Sequence, residues 1–93
     1  MVSEETLVKA CEAFLNVRRD RDLKGWELDD SLGSPFSHES NSGELTLSLL
    51  RGDSERISIA LDLKGLLSQE GAITVMGLEE EIETALHEKG ILA

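Results

Sequence analysis

His38, His87 and Cys11 are the side chains in this 93-residue sequence best suited to chemistry near neutral pH: two imidazoles that change charge there, and a thiol that becomes a nucleophile once ionised. His38 precedes Glu39, so a loop base with a neighbouring carboxylate can be written down, but adjacent residues rarely converge on one substrate. His87 lies one position off an apolar helical stripe, near a helix C-terminus where a protonated imidazole is electrostatically welcome. Neither histidine has a partner at metal-ligand or triad spacing, and no glycine-rich phosphate loop is present. Cys11 falls among Leu7, Phe14 and Leu15 in a helix interior, where a thiol acts as packing; a reactive thiol needs a cation or a helix N-terminus beside it. The expectation is therefore no catalytic residue, no cofactor and no metal, with a small enzyme built on the His38 loop as one alternative.

Three short motifs suggest chemistry and then fail on their surroundings. Asp20-Arg21-Asp22-Leu23-Lys24-Gly25 matches positions 1, 3 and 6 of a calcium-binding loop, but position 5 is Lys24 and position 12 is Ser31, which removes two ligands and adds a cation. Asp30-Ser31-Leu32 resembles the phosphopantetheine-attachment triplet of acyl carrier proteins, whose small size and acidity this chain shares. In that family a long helix follows the serine; here Gly33 and Pro35 interrupt one, and a hairpin follows that helical carrier proteins lack. Arg51-Gly52-Asp53 spells an integrin-recognition tripeptide, yet its residues are those a tight turn selects for backbone reasons.

Charge is the outlying property. Nineteen acidic against nine basic residues give a net charge of −10. Such a field repels nucleic-acid phosphates and anionic lipid, so no direct nucleic-acid or membrane contact is expected, and a basic protein partner is. The acids best placed to steer it are Glu27, Asp29 and Asp30, in a run from Gly25 to Leu50 with no Arg or Lys, and Glu79, Glu80 and Glu83 at the start of the last helix. A small acidic protein-binding module follows: a regulator, inhibitor, immunity-type or chaperone-type protein. A DNA-mimicking inhibitor, whose carboxylates imitate phosphates, is the second alternative. One cysteine cannot form an internal disulfide, no apolar run approaches the roughly 20 residues that span a bilayer, and the chain opens on acid rather than a basic signal segment. A cytoplasmic location is expected.

The elements that must carry these residues form one α+β domain over 1–93. Leu45, Leu47 and Leu49 alternate with polar neighbours, as do Ile57, Ile59, Leu61 and Leu63, with Arg51 to Glu55 between them as turn. This predicts a hairpin. Leu7, Ala10, Cys11, Phe14 and Leu15 predict an amphipathic helix over about 3–22, capped by Ser3 and stopped by Gly25. Trp26 and Leu28 share one face of a first strand over 25–30, and the Ser-, Gly- and Pro-rich segment 31–43 reads as a long loop. Residues 64–71 read as a short turn or a single helical turn ended by Gly71, and Ala72–Met76 as an edge strand or, equally, the entry to the last helix, which Gly77 or Thr74 can cap. The last helix carries Leu78, Ile82, Ala85 and Leu86 inward and ends in a Schellman motif at Gly90 and Ile91. The predicted fold is a two-layer α-β-β-(β)-α arrangement, an antiparallel sheet with both terminal helices on its Leu/Ile face. Thr46, Ser48, Ser58 and Ala60 occupy the reverse face. Their small size leaves room for a partner or for a second copy in a homodimer.

Overall fold

In the computed structural model the elements run α1 (Glu4–Asp20), β1 (Trp26–Leu28), β2 (Phe36–His38), β3 (Glu44–Arg51), β4 (Glu55–Asp62), α2 (Leu63–Glu70) and α3 (Val75–Glu88). The residues described are 4–23, 25–30, 34–38, 43–52 and 54–92, with the backbone alone for His38. The hairpin of β3 and β4 pairs Leu45 with Leu61, Leu47 with Ile59 and Leu49 with Ile57, so the alternation puts all six on one face. Arg51 pairs with Glu55, which shortens the expected five-residue turn to three.

The other edge of β3 carries two short strands end to end. Trp26 to Leu28 pair with Arg51 to Leu49, and Phe36 to His38 pair with Leu47 to Leu45. Between them the Asp29 amide donates to the Ser48 carbonyl at 2.9 Å, and the Ser48 amide donates to the Pro35 carbonyl at 2.8 Å. β1 and β2 thus lie end to end along one edge of β3 and meet at Ser48. The predicted loop over 31–43 accordingly contains a strand; much of it, including Ser31–Gly33 and Glu39–Ser42, lies outside the described residues.

Both terminal helices pack on the Leu/Ile face, as the pattern predicts, and they run parallel. Lys9 donates to the Ile73 carbonyl at 3.1 Å, Asn16 to Glu79 at 3.0 Å, and Arg21 Nε to Glu83 at 3.1 Å, so the partners advance together along both chains. The buried stripe of α1 is Ala10, Ala13, Phe14 and Val17, which is rotated from the predicted one: Leu15 is 52% exposed, while Leu7 and Cys11 are half-buried. Small Ala10 and Ala13 let α1 approach its neighbours closely, and that gain outweighs burying one more leucine. α1 stops at Asp22, in the left-handed region at φ 54°, with the Leu23 amide bonded to the Arg18 carbonyl. Gly25, the predicted stop, instead turns the chain into β1 at φ 92°.

Two further elements resolve alternatives the sequence leaves open. Residues 63–70 form a helix of two turns, longer than the single helical turn expected but ended by Gly71 as expected, because the Asp62 carboxylate accepts from the Gly65 amide at 2.9 Å and caps its first turn. Ala72–Met76 is not a strand: the Thr74 hydroxyl accepts from the Gly77 amide at 3.0 Å, so Val75 and Met76 open α3. The C-terminal Schellman motif is present, with Gly90 at φ 78° and the Ile91 amide on the Leu86 carbonyl at 2.9 Å. Leu47 is fully buried at the crossing of sheet and helices, so Leu47→Ala is expected to cost about 2–5 kcal/mol of stability. Thr74→Ala is expected to cost about 1 kcal/mol. Urea unfolding followed by emission of the single tryptophan, Trp26, measures both, and a neutral Thr74→Ala would contradict the cap.

Candidate functional site

Cations are unevenly distributed along the molecule, while carboxylates lie at both ends. At one end of the sheet the α1–β1 turn, the β3–β4 turn and the C-terminus of α3 converge around an open cleft of about 530 Å³, with Trp26, Arg51, Glu55, Ile57, Lys89 and Ile91 among its lining. Most of the described cations gather there, and their anions lie beside them. The Arg51 guanidinium stacks 4.8 Å from the Trp26 ring centroid and grips Glu55 through Nε at 2.9 Å and Nη2 at 2.7 Å. Arg19 meets Asp20 at 3.2 Å, Arg21 meets Glu83, and Arg56 lies 3.8 Å from Asp29.

The opposite end is acidic and is assembled from four elements. Glu44 on β3 stands directly across from Asp62 on β4. The Asp62 amide donates to Glu81 Oε1 of α3 at 2.9 Å, which brings a third carboxylate to the same corner. Glu70, at the end of α2, reaches the start of α3, its Oε2 lying 2.6 Å from the point a Cβ on Gly77 would occupy. A carboxylate is stabilised there by the helix dipole. Among the described residues the cations at this end are Lys9, which bonds Ile73 and pairs with Glu5 at 3.3 Å, and Lys64, whose amide holds the Gly43 carbonyl.

Compared with protein-family models, curated proteins and solved structures, the chain matches none. The reading of this molecule therefore stands on its own residues.

The ten residues singled out from the sequence fall on two separate surfaces. Thr46 faces Ala60 and Ser48 faces Ser58, so the four form a block on the sheet face turned away from the helices. Thr46 and Ser48 are half-buried, Ser58 and Ala60 exposed. Beside this block Glu27 is exposed, 4.0 Å from Arg18; Asp29 is buried and faces Arg56; Asp30 is exposed. Glu79, Glu80 and Glu83 belong to the helical layer. Glu79 and Glu83 fasten α1 to α3 through Asn16 and Arg21, which leaves Glu80 as the exposed acid of the three. Glu44 and Glu81 fall within the two acidic stretches read from the sequence, whereas Asp62 and Glu70 lie outside them, although the hairpin register alone places Glu44 opposite Asp62.

Among the described residues no group of three or more His, Cys, Asp or Glu is arranged to hold a metal ion. The side chain of His38, Glu39, Ser31, Lys24 and Asp53 lie outside the described residues, and with them the loop dyad, the carrier-type serine and parts of the calcium-loop and Arg-Gly-Asp motifs. No described helix is long and apolar enough to cross a membrane. Cys11 is half-buried on α1, and burial pushes its thiol above the ordinary range. Its alkylation by iodoacetamide near pH 8 is expected to run slower in the native protein than in denaturant. Because the unfolded thiol ionises first, the linked stability is full below the ordinary thiol value and is lost as pH rises through and above it. Equal rates in both states would show that burial does not restrain the thiol.

Proposed function

We propose that this protein is a small non-enzymatic binding module, of the regulator, inhibitor, immunity or chaperone type, that docks a basic protein through its acidic end. The observation that carries this reading is the uneven distribution of charge. A net charge of −10 spread evenly would serve solubility alone, whereas here most cations are neutralised at the cleft end and carboxylates from β3, β4, α2 and α3 gather at the other. A directed field of that kind orients an incoming basic partner and raises its association rate. Glu80, exposed on α3, presents its charge outward. The lone cysteine suits the reducing cytoplasm, where a thiol stays free.

The reading is tested by stopped-flow association with a lysine-rich probe protein. Raising ionic strength from about 20 mM to about 150 mM is expected to slow association by about tenfold or more, since the screening length falls to about 8 Å. Glu44→Gln with Glu80→Gln should reproduce much of that loss, and Glu27→Gln at the cleft end should not. Association that is indifferent to salt, or equally sensitive to both sets of changes, would overturn the assignment. Displacement of the probe's DNA in competition would move the reading to a DNA mimic.

A further inference from the structure

Resting on the basic-partner reading, the structure points further to the form of the contact. Among the described residues β3 is paired along both edges, but β4 is paired along one. In an antiparallel ladder the backbone groups of successive residues point alternately to either side. The Ser48 amide and carbonyl are used by Pro35 and Asp29 on the far edge of β3, so the Ser48–Ser58 pair exchanges no bonds and Ser58 points outward from β4. The same alternation turns Arg56, Ala60 and Asp62 outward. Asp62 confirms it, since its amide is taken from outside the ladder by Glu81. The amides and carbonyls of Arg56, Ser58 and Ala60 have no partner among the described residues, and all three residues are exposed.

Edge strands are ordinarily blunted by proline, a bulge or an inward charge, because unpaired backbone groups recruit other strands. Between Arg56 and Ala60 the strand is regular, proline-free, and carries no charge on its core face. α3 flanks it in the opposite direction: Glu81 lies beside Asp62, while Lys89 to Ile91 share the cleft with Glu55 and Ile57. The edge is therefore acidic at its Asp62 end, while at its other end the partly covered side chain of Ile57 lies among Arg51, Glu55 and Lys89.

We infer that the free edge of β4 receives an extended segment of the basic partner by strand addition, with lysine or arginine beside Asp62 and Glu81 and a β-branched apolar residue beside Ile57. Main-chain bonds to Arg56, Ser58 and Ala60 supply affinity, and the charge gradient along the edge sets direction. A second copy of this chain meets the same edge with a like net charge of −10 and its own Glu81, so the occupant is a basic segment of another protein.

The probe is a synthetic peptide of alternating lysine and valine, compared with one of identical charge whose alternate backbone amides are N-methylated. Ser58→Pro removes an outward amide without touching the ladder to β3; Ser58→Thr keeps it. The wild-type protein and Ser58→Thr are expected to bind the unmodified peptide, with affinity about tenfold lower for Ser58→Pro and for the N-methylated peptide. Far-ultraviolet circular dichroism checks that Ser58→Pro folds, and the N-methylated peptide tests the contact whether or not it does. Salt-sensitive binding that ignores both backbone changes would overturn strand addition and leave the basic-partner reading intact, whereas no binding of either peptide would overturn both. A dimer in light scattering that Ser58→Pro dissolves would give the edge to a second copy and overturn the inference.

Discussion

Everything in this molecule depends on β3 being, among the described residues, the one strand with a neighbour on each edge and a helical layer over one face. Its Leu45, Leu47 and Leu49 have no solvent exposure. At about 1.5–3 kcal/mol for each fully buried leucine, they outweigh any single polar contact in the structure. The register of β3 then fixes its neighbours. Pairing with β4 aligns Ile59 and Leu61 with the leucines, and pairing with β1 and β2 brings Trp26 and Phe36 to the same side. A one-residue slip would turn all of these to water and expose the polar set to the core, so the arrangement has little freedom.

The charge pattern follows from that frame. Two helices lying parallel on one sheet face bring their like-signed dipole ends together, and α1 ends in Arg18, Arg19 and Arg21. Glu79 and Glu83 on α3 answer this from the side, taking Asn16 and Arg21 and fixing the relative height of the helices. These exposed contacts contribute modestly to stability, since surface pairs are worth about 0–1 kcal/mol, but they register one helix against the other. They also commit part of the acidic helix to internal work. What projects from the opposite end comes from residues distant in sequence, Glu44, Asp62, Glu70 and Glu81, gathered by strand register and by two helix starts.

The hairpin was legible because two-residue alternation over seven or eight positions is a strong signal, and the last helix because its apolar spacing and Gly90–Ile91 stop agree with each other. β2 was not: three residues, Phe36-Ser37-His38, show no period, and a strand embedded in serine, glycine and proline is defined by its partner rather than by its own sequence. Val75 and Met76 have strand propensity in isolation, yet Thr74 as a cap and the apolar demand of Leu78 and Ile82 draw them into α3. On α1 both candidate stripes were present; the choice between Leu15 and Val17 depends on how closely Ala10 and Ala13 let the neighbouring elements approach, which no local pattern encodes. The acidic corner escaped for the same reason, as carboxylates on four elements meet only after the register of β3 is known.

Two surfaces of the sheet remain uncovered by the described elements, and they differ in what a partner would gain. On the reverse face, Thr46, Ser48, Ser58 and Ala60 are small, but the backbone of β3 beneath them is paired on both sides. Along the free side of β4 the backbone groups of Arg56, Ser58 and Ala60 have no partner among the described residues. There each main-chain bond formed with a partner is added to a ladder whose geometry is already set, so little ordering cost falls on this protein. The small residues of the reverse face then have a different bearing: without bulky or charged side chains at Ser58 and Ala60, the middle of the edge is not overhung on the outer surface, and an extended segment can approach β4 there in the plane of the sheet.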